Sequence, residues 1–190
     1  MNTRVASVLL LITSLAVLLL SAGAASAQTQ KQLWTSGWDN FSEPLNYTRS
    51  NITWSVSPAR KLTVTYALVK ATPNKLYQVG IHIVCDTFPA TFGQFSTSSG
   101  GGTCPQITKQ GVTKGVVAVE FGVVRTDIHG NGSFKVVVGP IASGSYDLEF
   151  STRNGAGCNL TGGGGNSGTI CEIDFQSPGP FGTTTTVVVP

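Results

Sequence analysis

Apolar and polar residues alternate with a period of two along most of the chain. Each such row predicts a β-strand with one face on a core and the other in solvent. The apolar rows fall in Ile52–Val56, Leu62–Leu68, Tyr77–Cys85, Val117–Val123, Phe134–Val138, Tyr146–Phe150, Cys171–Phe175 and the β-branched run Thr184–Val189. Since no segment after the first 27 residues has a sustained helical period, we predict about eight strands and an all-β fold.

The breaks between these rows have the chemistry of tight turns. Ser57–Arg60 and Ala71–Asn74 each contain a proline, and Asp127–Gly132 ends in Asn-Gly, a pair suited to a hairpin turn. Gly139–Ser145 separates the next two rows. Many short strands joined by such turns predict an antiparallel sandwich of two sheets, with a closed barrel as the less favoured alternative.

The first 27 residues have the features of an export signal. A basic start is followed by the apolar run Val8–Leu20, and Ala25–Ala27 supplies small side chains for cleavage. The run is shorter than the roughly 20 residues that span a bilayer. We therefore predict a signal peptide at 1–27, an N-terminal extension at 28–50 and a sandwich domain at 51–190. The product is expected to be secreted, or periplasmic where the host has an outer membrane, with no membrane partner after cleavage.

Four cysteines, Cys85, Cys104, Cys158 and Cys171, lie in the exported part of the chain. An even number in an oxidising compartment predicts two disulfides. Four cysteines allow three pairings, and we favour Cys85–Cys104 with Cys158–Cys171 because each closes a short loop rich in glycine and serine. The gaps within these pairs are too long for a zinc site.

Charge excludes some partner classes. Charged residues make up 11% of the chain and the formal net charge is +3. The basic residues are scattered singly along the sequence and form no run that would hold a phosphate backbone. Nucleic acid is therefore not an expected partner.

Two short motifs resemble a known class of secreted bacterial modules. The stretch Thr126–Phe134 is similar to the "TD-x-x-G-x-F" hairpin of prealbumin-like and related immunoglobulin-like modules, and Pro140–Phe150 is similar to their "P-x-x-x-G-x-Y" turn into a strand. The resemblance covers about 25 residues and rests on turn glycines and core aromatics, so it implies a fold and not an activity. Modules of this kind usually serve as stalks, spacers or binding platforms.

Metal and catalytic sites find little support. His82 and His129 are the only histidines, and we predict both to be solvated surface residues. The acidic pairs Asp147 with Glu149 and Glu172 with Asp174 lie two residues apart, as charges on an outward strand face do, whereas a glycosidase needs carboxyls that face each other across a cleft. We therefore predict that the chain is not an enzyme and needs no cofactor.

The loop Asp127–Gly132 has a partial likeness to a calcium loop. A calcium loop would also have an oxygen-bearing side chain at the position of His129 and a glutamate at that of Val138. Both are missing, so we predict a plain turn without metal.

Aromatic residues are the best candidates for ligand contact. They are Trp34, Trp38, Phe88, Phe92 and Phe95. Exposed aromatics on a sandwich stack on sugars or dock on partners; the alternative is that they close the ends of the core. The sequence thus favours a secreted, non-catalytic module with a structural or protein-interaction role, and the alternative is a carbohydrate-binding module that uses these aromatics.

Overall fold

The structure, a computed structural model, describes residues 28–37, 43–84, 106–109, 111–154, 173–180 and 182–190. These residues form eleven β-strands. They are β1 (Gln30–Leu33), β2 (Thr35–Ser36), β3 (Asn51–Val56), β4 (Leu62–Leu68), β5 (Leu76–Val84), β6 (Gln106–Lys109), β7 (Val112–Arg125), β8 (Gly132–Val138), β9 (Gly144–Asn154), β10 (Ile173–Ser177) and β11 (Thr185–Val189). Within these residues there is no helix, so the predicted all-β class is confirmed.

The strands form two antiparallel sheets. The smaller has the order β1-β3-β4-β8, and the larger the order β2-β10-β9-β5-β7-β6. Strand β11 also belongs to the larger sheet, because it pairs with Gly144–Leu148 of β9 while β10 pairs with Phe150–Arg153 of the same strand. Strands β1 and β2 lie in the segment 28–50, so this part of the chain contributes to both sheets.

The two sheets pack face to face through the apolar rows that the alternation predicts. The ring of Trp54 in β3 lies 5.1 Å from that of Phe150 in β9, and the Tyr66 hydroxyl of β4 donates to the Gly80 carbonyl of β5 at 3.1 Å. The rows of β4, β5 and β9 are buried as expected. They are Leu62, Val64, Tyr66 and Leu68; Tyr77, Val79, Ile81 and Ile83; and Tyr146, Leu148 and Phe150.

A β-bulge in β7 changes the predicted face of one residue. Val79 of β5 pairs with Gly122, whereas the next residue, Gly80, pairs with Glu120, so β7 has one residue more than its partner at this point. The alternation reverses there. Val124 is therefore fully buried and Val123 is not, and the prediction that Val123 points into the core was wrong.

The loop Asp127–Gly132 connects the two sheets. The Asp127 amide donates to the Asn131 carbonyl at 2.8 Å and the Gly130 amide to the Asp127 carbonyl at 3.0 Å, so the predicted tight turn is present. However, β7 and β8 belong to different sheets and do not pair. The turn is a corner of the sandwich and not the predicted hairpin, and its positive φ of 76° falls on Gly130 and not on Asn131 or Gly132.

Candidate interaction site

Trp34 lies in the core and not on the surface. It stands between β1 and β2, where the chain passes from the smaller sheet to the larger one, and this change of sheet places its side chain between the layers. Its ring lies 6.0 Å from that of Tyr66, its indole N–H donates to the Ala67 carbonyl at 3.1 Å, and only 1% of the residue is exposed. Trp34 is therefore not one of the exposed aromatics that ligand contact would require, and its position agrees with the alternative that it packs on the core.

Trp38, Phe88, Phe92 and Phe95 lie outside the residues that the structure describes, as do all four cysteines and the predicted signal peptide. Among the residues that are described, Tyr47 is an exposed aromatic at 37%, and its ring packs edge-on against Phe175 at 6.2 Å.

His82 is buried, which corrects the prediction that it is a solvated surface residue. It lies on the outer face of the larger sheet, where Glu149 is its cross-strand neighbour, and both are 2% exposed. The outer face of β5 and β9 was expected to be in solvent, but Gln78, Glu149 and Ser151 are buried there too. Asp174 in β10 is also buried, so neither Glu149 nor Asp174 is the solvated charge that the spacing indicated.

Both ring nitrogens of His82 have polar partners. Nδ1 lies 2.9 Å from Glu149 Oε1, and Nε2 lies 3.0 Å from Arg153 Nη2. Because a guanidinium only donates hydrogen bonds, Nε2 must accept, and Nδ1 then carries the proton that it donates to Glu149. Gly80 and Ser151 lie between these residues in the register. Gly80 has no side chain and that of Ser151 is small, which leaves room for Arg153 to reach the imidazole.

The corner at Asp127 uses its carboxylate for the backbone. Asp127 Oδ1 accepts hydrogen bonds from the amides of His129 at 2.8 Å and Asn131 at 2.9 Å. These bonds from Asn131 and His129 lower the pKa of Asp127 although its slight desolvation opposes them. Among the described residues, no group of three or more His, Cys, Asp or Glu side chains is placed to hold a metal ion.

Along one side of the sandwich, the described residues leave part of the core exposed. We call it the β7–β8 seam, and it consists of the inward side chains of two strands, Val117, Val119 and Phe121 of β7 with Phe134, Val136 and Val138 of β8. All six pack against the core but are only partly buried. The inward side chains of the central strands, such as Val64 and Ile81, have no exposed surface at all. The core is therefore incompletely covered along the seam.

Among the described residues, the two strands beside the seam also have backbone without a partner on one side. In the described part of the chain, β8 pairs with β4 only. Strand β6 pairs with β7 over Val112–Gly115, so the rest of β7 has β5 as its one described partner. The free side of an edge strand carries N–H and C=O groups ready to pair with another chain. Side chains on the outer face of β8 are exposed, with Val137 at 57%.

The two unpaired edges lie next to each other. A Cβ atom built on Gly122 of β7 would lie 2.5 Å from Cζ of Phe134 in β8, so the strands approach closely across the layers. Gly122 has a φ of 154° at the bulge, and the absence of a side chain there is what admits the Phe134 ring. The seam is thus an apolar strip between the edges of β7 and β8, which have no partner there in the described part of the chain.

Comparisons of this chain with protein-family models, with curated proteins and with solved structures find no match. In the described ranges, the chain also has no helix that is long and apolar enough to cross a membrane.

Sequence reasoning missed the seam because the apolar rows of β7 and β8 have the same alternation as those of the central strands. Which strand lies at an edge depends on pairing over long sequence distances, which the alternation does not contain. One local signal was available. Lys135 is the one charged residue in the row Phe134–Val138, which is otherwise apolar. Natural proteins place lysine on edge strands to prevent uncontrolled pairing.

Proposed function

We propose that the protein is an exported, non-catalytic β-sandwich module that binds other proteins along the β7–β8 seam. The observation that carries this proposal is the coincidence of two features at one edge. Six apolar side chains are left half-buried, and within the described ranges the adjacent strand β8 pairs on one side only, with β4. A strand added to an edge gains main-chain hydrogen bonds, and its alternate side chains gain apolar contact.

The environment of His82 supports a non-catalytic role. A histidine that acts as a general base needs a ring nitrogen that can reach the substrate. Here Glu149 binds one nitrogen and Arg153 the other, and the His82 side chain is 3% exposed. Because both ring nitrogens are occupied, a structural function is favoured for His82, which lies beside the Glu149 carboxylate.

The proposal includes an immunoglobulin-like or prealbumin-like type for the sandwich. Tyr146 supports it, because its hydroxyl donates to the Ala142 carbonyl, four residues upstream, at 2.9 Å. A tyrosine near the start of a strand that bonds back to the preceding corner is typical of immunoglobulin-like sandwiches. Export and the disulfides Cys85–Cys104 and Cys158–Cys171 complete the proposal, and both rest on the sequence.

Carbohydrate binding is the weaker alternative. A sugar platform on this fold would need exposed aromatic rings, and the burial of Trp34 removes one of the five candidates.

Site-specific photo-crosslinking in the producing organism tests the proposal. A benzophenone amino acid in place of Val137 should give a covalent adduct with another protein, because this side chain is exposed on β8, the strand that borders the seam. The same replacement at Val188, which is 64% exposed on β11, is the matched control and should give none. Equal adducts from both positions, or none from Val137, would contradict an interaction site at the seam.

A further inference from the structure

We infer that the partner supplies an extended segment in which apolar residues alternate with acidic ones, and that this segment pairs with β8. The inference rests on the proposed function and adds the chemistry of the partner. Its two requirements, apolar residues on one side and carboxylates on the other, come from the two faces of β8.

The apolar requirement comes from the inner face. In a strand paired with β8, every second side chain would point into the seam beside Phe134, Val136 and Val138, because cross-strand neighbours lie on the same face of a sheet. Those side chains would cover the half-buried apolar surface of these residues and of Val117, Val119 and Phe121. An apolar residue at each inward position is therefore favoured.

The acidic requirement comes from the outer face of the smaller sheet. Strands β1, β3, β4 and β8 contain no aspartate or glutamate, and their charged residues are Lys31 and Lys135. The register places these two in one row across the sheet, in the order Lys31, Thr53, Thr65, Lys135. Lys135 ends this row at the free edge, so the next position in the row belongs to the incoming strand.

No carboxylate on these strands neutralises Lys135. A glutamate or aspartate opposite it in the added strand would form a cross-strand pair of opposite charges, which is favourable, whereas a lysine or arginine there would be repelled. Charge therefore selects among strands that satisfy the apolar requirement equally well.

The same charge disfavours a second copy of this chain as the partner. In an isologous antiparallel pair of two β8 strands, each residue of one copy faces the symmetry-related position of the other. A pair centred on Lys135 sets the two lysines directly opposite, and a pair centred on Phe134 or Val136 sets them on neighbouring diagonals. Like charges in these positions oppose pairing.

Binding of three synthetic peptides to the mature protein tests the inference. The peptides share valine at every second position and carry glutamate, glutamine or lysine at the positions between. Fluorescence anisotropy should give the lowest Kd for the glutamate peptide, by about fivefold over the glutamine peptide, since one exposed ion pair contributes up to about 1 kcal/mol. Raising the salt from about 50 to 500 mM should reduce this difference.

Two variants sharpen the test. Lys135→Glu should reverse the order, so that the lysine peptide binds best. Arg49→Glu, which makes the same change of net charge in an exposed turn at 47–49, should leave the order unchanged. Equal thermal unfolding of both variants and the unmodified protein checks that the fold is retained.

The outcomes separate the two proposals. Equal affinity for all three peptides, or no effect of Lys135→Glu, overturns the acidic partner but leaves the seam as a strand-binding site. Failure of every peptide to bind at millimolar concentration overturns the seam itself. Concentration-dependent dimerisation in sedimentation that Lys135→Glu abolishes would instead identify a second copy as the occupant and contradict the inference.

Discussion

Phe150 joins the two layers at the centre of the core. Its ring lies 5.1 Å from Trp54 and 6.3 Å from Tyr66, both in the opposite sheet, and the residue has no exposed surface. We expect Phe150→Ala to lower the free energy of unfolding by about 3–5 kcal/mol, through lost burial and a cavity. Val137→Ala, at an exposed site, should change it by no more than about 0.5 kcal/mol. Urea denaturation measures both, and similar losses would contradict the packing described.

The two histidines make a matched pair for a test of buried polar contacts. His82→Leu leaves the Glu149 carboxylate without its hydrogen-bond donor in a buried position, and we expect a loss of about 1–3 kcal/mol in the free energy of unfolding. His129 lies exposed in the corner, so His129→Leu should cost about 0.5 kcal/mol or less. The ¹⁵N shifts of the His82 ring should also identify the tautomer protonated at Nδ1. An Nε2-protonated ring would refute the hydrogen-bond assignment with Arg153.

Glu43 links an N-terminal segment to the sandwich and gives stability a dependence on pH. Burial raises the pKa of its carboxyl, but hydrogen bonds from Lys75, Thr72 and Tyr77 outweigh burial and hold the pKa below its usual 4.5. A carboxyl whose pKa is lower in the folded state stabilises the fold above its unfolded pKa, and this stabilisation disappears as the pH falls through the folded value.

Glu43→Gln should therefore lower the Tm at pH 7, and its difference from the unmodified protein should shrink as the pH is taken below about 4.5. Thermal unfolding between pH 2 and pH 7 measures this difference. A constant difference across the range would mean that the charge of Glu43 does not contribute.

At the scale of elements, the corner between β7 and β8 depends on Gly130. Gly130 and Gly111 have nearly the same φ, 76° and 77°. A Cβ on Gly130 would lie 1.9 Å from the backbone oxygen of Ala71, whereas one on Gly111 would meet nothing within 4 Å. The two glycines therefore separate steric conflict from backbone strain.

We expect Gly111→Ala to cost about 1–2 kcal/mol, the usual strain of a left-handed conformation. Gly130→Ala should cost at least about 2 kcal/mol more. The added Cβ would clash with the Ala71 backbone oxygen, so the turn that contains Ala71 would have to move. Chemical denaturation of the two variants gives the comparison. Equal costs for the two variants would show that Gly130 does not lie against the Ala71 backbone as described.

The alternation predicts most strands and their inward rows because it is a local property of the chain. It fails where the structure depends on partners far along the sequence. The bulge at Gly122 reverses the faces of Val123 and Val124 through the register with β5. His82 and Glu149 lie on the outward face that the alternation predicts, but whether that face meets solvent depends on the rest of the fold. Trp34 points inward because β1 and β2 join different sheets.

At the scale of the whole molecule, the described strands bury the centre of the core fully and its β7–β8 side only in part. The inward apolar side chains of β4, β5 and β9 are buried between the two sheets, whereas those of β7 and β8 remain half-buried. An exposed strand edge promotes uncontrolled association unless it is protected. Lys135 provides part of that protection here, and in our account it also selects the acidic strand that the edge accepts.

The free edge of β8 is most directly tested by residue-resolved amide hydrogen exchange in the chain from Gln28 to Pro190. Strand β4 pairs on both sides, with β3 and β8, so the amides of Leu62–Leu68 should all be protected. In β8 only every second amide can bond to β4, so we predict that protected and fast-exchanging amides alternate along Gly132–Val138. Addition of the alternating valine–glutamate peptide should protect the fast set. Uniform protection of β8 in the free protein would show that its edge is already paired and would contradict the account.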